Sequence, residues 1–329
     1  MYQHMYHQAW HTEEITTKRI LVTGGAGFIG SHLVEYLLLH GALEVRVLDN
    51  LSTGSQSNIN LFEGRANFNF VHGSITDAAT CEKACEQIDI VLHHAALGSV
   101  PRSIDDPIAT HEVNATGFLN MLVAARKCGV KRFVYASSSS VYGDDINSPK
   151  KESVTGRALS PYAVTKQLNE QYAAVYADLF EMDITGFRYF NIFGPRQNPS
   201  GAYAAAIPLF IDGLIRGTPV YINGDGQQSR DFTFVSNVVK ANMLILAAPS
   251  DRVRGRVFNI GAGNSTSVLQ IYHWIADALH VTTPPLFREA RKGEIIDSLA
   301  DISAAHAAFG YTPDIDVKSG LTLTVNSFL

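Results

Sequence analysis

Tyr162 and Lys166 stand four residues apart in SPYAVTKQLNEQYAAVYADLF. Ser160 and Pro161 suit an N-cap and a first helical turn, so the segment reads as a helix that stacks both side chains on one face. A phenol beside an ammonium can do acid–base chemistry. Free tyrosine titrates near 10, and bringing it to about 7 takes roughly 4 kcal/mol of preference for phenolate. One ammonium about 4 Å away, at an effective dielectric near 20, supplies about that much. Upstream, Ser137, Ser138, Ser139 and Ser140 run into Tyr142. Hydroxyls there suit a proton relay or a hydroxylated ligand, or they satisfy turns of the local backbone.

A second constellation is the glycine string of ILVTGGAGFIGSHLVEYLLLHG, with Gly24, Gly27 and Gly30 between a strand-like run and an amphipathic helix. The three glycines suit a tight turn, close approach of backbone to a pyrophosphate, and close packing of helix on strand. The helix start then offers N–H groups and a positive dipole end to phosphates. Asp49 ends the next apolar run, where a carboxylate would take adenosine ribose hydroxyls, or else cap the following turn. It would repel a 2′-phosphate, so the pattern points to NAD rather than NADP. With the glycine turn in place, the Tyr162–Lys166 pair reads as catalytic rather than as a surface pair.

These groups meet only if a scaffold brings them to one edge. Short β-branched apolar runs alternate with longer helical patterns, as in β-α-β units around a parallel sheet. Strands are predicted at Arg19–Thr23, Glu44–Asp49, Phe68–His72, 88–93, 132–137 and 184–189. ILVTG, IVLHHAA and FVYASS are apolar almost throughout, as strands covered on both faces must be. The serine run then lies at the carboxyl end of the fifth strand, where open α/β sheets gather their sites. Helical patterns over 105–128 and 162–180 are long for crossovers and predict a face for a second copy, hence a homodimer. After Asn191, Gly194, Pro195, Pro199, Gly201, Pro208 and Pro219 punctuate shorter elements, which predicts a second lobe. The stretches 231–235 and 257–261 look strand-like and are expected to return to the first sheet. The fold class expected is α/β, a Rossmann doubly wound parallel sheet with a smaller C-terminal α/β substrate-binding lobe. It divides into an N-terminal extension over 1–17, an NAD-binding domain over 18–190 and a mainly substrate-binding lobe over 191–329.

Composition excludes several classes. The 329 residues are 46% hydrophobic and 17% charged, enough for a full core. With 26 Lys+Arg against 31 Asp+Glu and a net charge of −5, no basic surface is expected for nucleic acid or an anionic membrane. No apolar run approaches the roughly 20 residues of a membrane span, and the first residues lack the apolar middle of a signal peptide. Cys81, Cys85 and Cys128 read as small buried hydrophobes in a reducing, cytoplasmic setting. His4, His7 and His11 have a helical spacing but no carboxylate or cysteine partner, so they read as a solvated tail, and no metal site is expected. His93 and His94 read as core or rim histidines.

Together these residues resemble the extended short-chain dehydrogenase/reductase family, and most of all its bacterial UDP-N-acetylglucosamine 4-epimerase type. The likeness runs from Lys18 through HHAALGSVPRSIDDP, SPYAVTK, RYFNIFGPRQNPSGAYAAAIP, INGDGQQSRDF and GEIIDSLADI. It implies Ser138, Tyr162 and Lys166 as the catalytic trio, Ser138 because it lies four residues before Tyr142, with Ser139 as the fallback. It implies Asn114 as support for the lysine, and cofactor contacts at Gly24, Gly27, Phe28, Ile29, Gly30, Asp49, Asn50, Ile75, Ala95 and Tyr189. Ser74 stands where many relatives place an Asp toward the adenine. For a UDP-sugar substrate the likeness implies Asn191, Tyr221, Asn223, Arg230, Arg291 and Glu294, with Ser99, Arg102, Ser139 and Gln197 nearer the pyranose. Ser298 resembles a gate position where a bulky tyrosine in some relatives excludes 2-acetamido sugars. The activity implied is NAD-dependent C4 epimerisation of UDP-GlcNAc and UDP-GalNAc, extending to UDP-Glc and UDP-Gal. Three rivals are a uronic-acid 4-epimerase, a 4,6-dehydratase and a non-enzymatic NAD sensor. Ser139 and Ser140 stand where dehydratases carry an Asp-Glu pair, and sensors often lose the tyrosine or lysine that this chain keeps.

Overall fold

The computed structural model describes residues 5–200, 204–290 and 297–329. Its main sheet contains β1 (Arg19–Thr23), β2 (Glu44–Asp49), β3 (Phe68–His72), β4 (Ile90–His93), β5 (Arg132–Ser138), β6 (Asp183–Tyr189) and the segment Val257–Ile260. They lie in the order Val257–Ile260, β6, β5, β4, β1, β2, β3, with every pair parallel. β1 explains why the sheet is covered on both faces. Ile20 and Val22 point into one apolar layer with Leu33 and Leu37 of α1 (Phe28–Leu39), while Leu21 points into the other with Phe118 and Leu122. All three strand residues are fully buried, each contributing roughly 1.5–3 kcal/mol. Strand order reverses between β1 and β4, and that switch point opens a crevice at the strand ends. There Thr23 Oγ1 and His93 Nδ1 are 2.8 Å apart, tying the two strand ends together.

Several expectations are corrected. The fourth strand starts at Ile90, not 88, because Gln87 takes φ 60° and the Ile88 amide donates back to Cys85 O. The helical pattern over 105–128 is broken at Asp106. Pro107 pushes it to φ −137° and ψ 80°, and its carboxylate accepts the Ala109 amide as a new N-cap. Helix then runs through Pro107–His111, one π turn at Glu112–Thr116, and Gly117–Lys127. Of the two later segments, Val257–Ile260 pairs with β6, whereas Thr233–Phe234 pairs with Ile192–Phe193 away from the main sheet. The latter has room for two pairs only, since the helix Val235–Leu244 starts at once.

The part after Asn191 has its own apolar centre. Ile207, Phe210 and Ile211 of the helix Ala206–Arg216 meet Ile271, Tyr272 and Ile275 of Val268–Ala278, closed by Leu321 and Val325. The described part of the N-terminal extension, from residue 5, is not a solvated tail. Tyr6, Trp10 and Ile15 are buried in the main core, and Trp10 stacks on Tyr36 of α1 with ring centroids 5.4 Å apart. His11 Nδ1 lies 2.7 Å from the Tyr36 hydroxyl. His4 falls outside the described residues, and His7 is exposed.

Candidate active site

The glycine turn is set by backbone alone. Gly24 takes φ +71°, and a Cβ there would lie 2.7 Å from the Ala95 nitrogen. A Cβ on Gly30 would lie 2.1 Å from the Gly24 carbonyl oxygen, so only glycine allows α1 to start so close to the turn. Gly27 is the N-cap and contributes no capping side chain, which leaves the first-turn N–H groups to an anion. Asp49 ends β2 with one carboxylate oxygen accepting the Ala26 amide at 3.0 Å and the other the Leu51 amide at 2.8 Å. It therefore caps two turns and still lines the crevice, with lone pairs left for a ribose. Burial pushes its carboxyl above the usual range, and the two amides pull it down.

The crevice is a cleft of about 560 Å3. Gly24, Gly27, Phe28, Ile29, Gly30, Asp49, Asn50, Ser74, Ile75 and Ala95 form one end of its wall, and Ser138, Ser139, Tyr162, Lys166, Tyr189, Asn191 and Gln197 the other. A backbone cradle, an acid at the next strand end and a cleft reaching a phenol fit a dinucleotide. Ser74 turns its hydroxyl to Thr76 Oγ1 at 2.8 Å. Tyr189 takes a hydrogen bond from Asn242 Nδ2 and stacks on His94, whose Nε2 is 2.9 Å from its hydroxyl. His94 thus lines the cleft while His93 is buried behind it.

Tyr162 and Lys166 come from the helix Pro161–Phe180, whose N-cap Ser160 accepts the Ala163 amide at 3.1 Å. Ser138 shares a hydrogen bond with the Tyr162 phenol. That bond pulls the phenol down, but burial outweighs it and raises it above 10. The lysine's hydrogen bond does not go to the phenol. Lys166 Nζ donates to Ala136 O at 2.7 Å and lies 5.8 Å from the Tyr162 ring centroid. Burial pushes its ammonium down to about 8, against the opposing charge of Glu170. Asn114 does not reach the lysine either. Its side chain accepts the Leu97 amide at 2.7 Å and donates to Leu97 O and to Thr165 Oγ1, pinning the cleft loop from behind.

A second cavity of about 350 Å3 opens beyond the first and shares Asn191, Ile192, Gln197, Ala204 and Ala205 with it. Tyr221, Asn223 and Arg230 line it. Ser99, Arg102 and Ser298 are on neither wall. Ser99 caps the helix Val100–Asp105 by accepting the Arg102 amide, and Ser298 is buried in register with Arg230. Arg291 and Glu294 lie outside the described residues.

Two features went unread. Arg288 lines the second cavity with its Nε donating to Asn223 Oδ1 at 2.6 Å, beside Phe232 and Phe210. Its signal was a lone arginine at the end of an apolar pair. Glu170 accepts from Ser137 Oγ at 2.5 Å and from Arg188 at 2.7 and 2.9 Å, one turn beyond Lys166. The spacing 162, 166, 170 on one helix face was available to find it.

The sequence profile of the NAD dependent epimerase/dehydratase family matches residues 20–261. The chain belongs to that family. It is 36% identical over 312 residues to a UDP-glucose 4-epimerase of Mycolicibacterium smegmatis, covering 94% of this chain and 98% of the relative. Among solved structures it is similar to the UDP-N-acetylglucosamine 4-epimerase of Methanobrevibacter ruminantium in complex with UDP-N-acetylmuramic acid. That match has TM-score 0.88 at 36% identity, over 95% of this chain and 98% of that one. The Thermus thermophilus UDP-glucose 4-epimerase complex with NAD matches with TM-score 0.83 at 33% identity, over 94% and 98%. The chain is thus an epimerase-type enzyme with a nicotinamide cofactor, built on a Rossmann sheet.

Proposed function

We propose that the protein is a UDP-N-acetylhexosamine 4-epimerase that interconverts UDP-GlcNAc and UDP-GalNAc and extends to UDP-Glc and UDP-Gal. The observation that carries this reading is the Ser138–Tyr162–Lys166 cluster, placed where the glycine-turn cleft is continuous with a cavity bearing Arg230 and Arg288. The turn from Gly24 to Gly30 would hold the diphosphate of NAD, Asp49 its adenosine ribose, and Tyr162 with Lys166 its far end. Bound NAD supplies a reversible acceptor for the hydride of C4. Tyr162, as phenolate, takes the proton from the sugar O4, and Ser138 steadies or passes that proton. Burial keeps the phenol protonated until a cation offsets it, and Lys166 stands over the ring for that purpose. Arg230 and Arg288 suit the substrate diphosphate because a guanidinium fork makes paired, charge-assisted hydrogen bonds. With that end anchored, the 4-keto sugar turns over and presents its other face, and Tyr162 returns the proton. Support for acetamido forms is the likeness to the Methanobrevibacter UDP-N-acetylglucosamine 4-epimerase.

The test is turnover of UDP-GlcNAc, UDP-GalNAc, UDP-Glc, UDP-Gal and their uronic forms, read by a method that separates C4 epimers. Exchange of the acetamido pair at the highest kcat/KM is expected. Preference for uronic forms, or loss of water without epimerisation, would replace the reading by one of its rivals.

We infer that two copies pair through the helices near 100–111 and 161–180. Val164, Val175 and Leu179 form one exposed stripe on the latter, at spacings of eleven and four residues. Ile104 and Ile108 on the neighbouring helices are 60% and 79% exposed. Light scattering is expected to give twice the 35.9 kDa chain mass, and Leu179→Asp to give the monomer.

A further inference from the structure

We propose that the N-terminal segment is a positioning element for the sugar site: Tyr6, acting through His32, sets the loop 194–198 that carries Gln197 onto the walls of both cavities. The identity of the ligand rests on the epimerase reading; the coupling of segment to loop does not.

Tyr6 and His32 are buried, and the Tyr6 hydroxyl lies 2.8 Å from His32 Nδ1. His32 Nε2 lies 2.9 Å from Pro195 O. A carbonyl only accepts, so Nε2 carries the proton, Nδ1 is a bare acceptor and Tyr6 donates to it. Burial and the Arg196 guanidinium hold the imidazole near a pKa of about 3, so it has one N–H to give at neutral pH. Tyr6 thereby selects the tautomer that grips the loop. Without its hydroxyl, the ring is free to put its proton on Nδ1 and face Pro195 O with a lone pair.

The loop needs this grip. Arg196 takes φ 66° and Asn191 φ 37°, conformations that persist only when neighbours enforce them. Glu35, three residues after His32 on α1, supplies a second anchor through its ion pair with Arg196. Gln197 donates from Nε2 to Ile192 O at 3.3 Å, while its Oε1 is buried with no hydrogen-bond partner among the described residues. That oxygen is an acceptor placed for a hydroxyl or acetamido N–H of the sugar. The family profile begins at residue 20, so the gripping segment lies outside the region it matches.

Tyr6→Phe removes one oxygen and keeps the ring. In the full-length, NAD-loaded enzyme its KM for UDP-GlcNAc is expected to rise about fivefold, the worth of one hydrogen bond, with kcat within about twofold and NAD content unchanged. Backbone amides of 196–198 are expected to exchange hydrogen about fivefold faster, read by mass spectrometry. His32→Gln keeps a donor and an acceptor and is expected to retain the wild-type KM. His32→Leu is expected to match Tyr6→Phe, and the double variant to be no worse than either. Ile15→Val trims a buried side chain of the same segment nine positions beyond Tyr6, so it is expected to lower Tm with KM unchanged. Unchanged loop exchange in Tyr6→Phe overturns the proposal, as does faster exchange with unchanged KM, or an equal rise of KM in Ile15→Val. If the wild type turns over no UDP-sugar, the epimerase reading fails while loop exchange still decides the coupling.

Discussion

The two ends of the cleft are built on different principles. At the glycine end, position is set by main chain: Gly24 and Gly30 exclude side chains by contact, and Asp49 is held by two amides of its own turns. At the sugar end, position is set by side chains reaching in from distant segments. Non-glycine residues there sit at positive φ, Gln197 is placed by a loop fastened to α1, and Arg288 is braced by Asn223. One half is prefabricated by local geometry, and the other is assembled by tertiary contacts. The cofactor half should therefore fail abruptly under small changes, and the sugar half by degrees.

The largest effect tests the junction of the halves. Tyr162→Phe is expected to lower kcat by about 1,000-fold with NAD still bound, measured by epimer-resolving assay and by cofactor released on denaturation. A residual rate near wild type would remove the phenol from the chemistry. Gly30→Ala tests abruptness: a methyl 2.1 Å from the Gly24 oxygen cannot be relieved by a side-chain rotation. NAD affinity is expected to fall about 100-fold, read by titration, with a lowered Tm. Arg230→Leu tests gradual failure. A lost charged hydrogen bond should raise the UDP-sugar KM about tenfold and leave NAD content unchanged. Equal losses of NAD and sugar binding in that variant would erase the distinction between the halves.

The smallest effect is a pH dependence. Lys166 is held near 8 by burial, so its cation is lost as pH rises through that value. If the cation steadies the phenolate, kcat/KM should drop about twofold between pH 7 and pH 8 and further above. A rate flat to pH 9 would assign the lysine a hydrogen-bonding role alone. The same depressed value makes the folded state release its proton before the unfolded chain does, so Lys166 weakens folding below about pH 8. That penalty fades as pH rises through 8 toward the unfolded value near 10.4.

What was legible in the sequence follows the same division. The strands through β6 and the glycine turn were readable because continuous apolar runs and fixed glycine spacing are local signals. So was the Tyr162–Lys166 face, since one helix settles it. The short pairing of Thr233–Phe234 with Ile192–Phe193 left no period to detect. The role of Asn114 depends on a loop seventeen positions away, and the electrostatics of Lys166 on a carbonyl of β5. The N-terminal segment misled because Tyr6 and Trp10 are scattered among histidines and glutamines. Their burial is dictated by the aromatic, histidine-bearing face of α1 that receives them.

The five residues common to both cavities work as a party wall. Asn191 and Gln197 face both spaces, so a substitution there reshapes two walls at once. Tyr221, Phe232 and Arg288 touch the outer room alone. Libraries aimed at new carbohydrate donors belong at those positions, where retuning leaves the redox compartment intact.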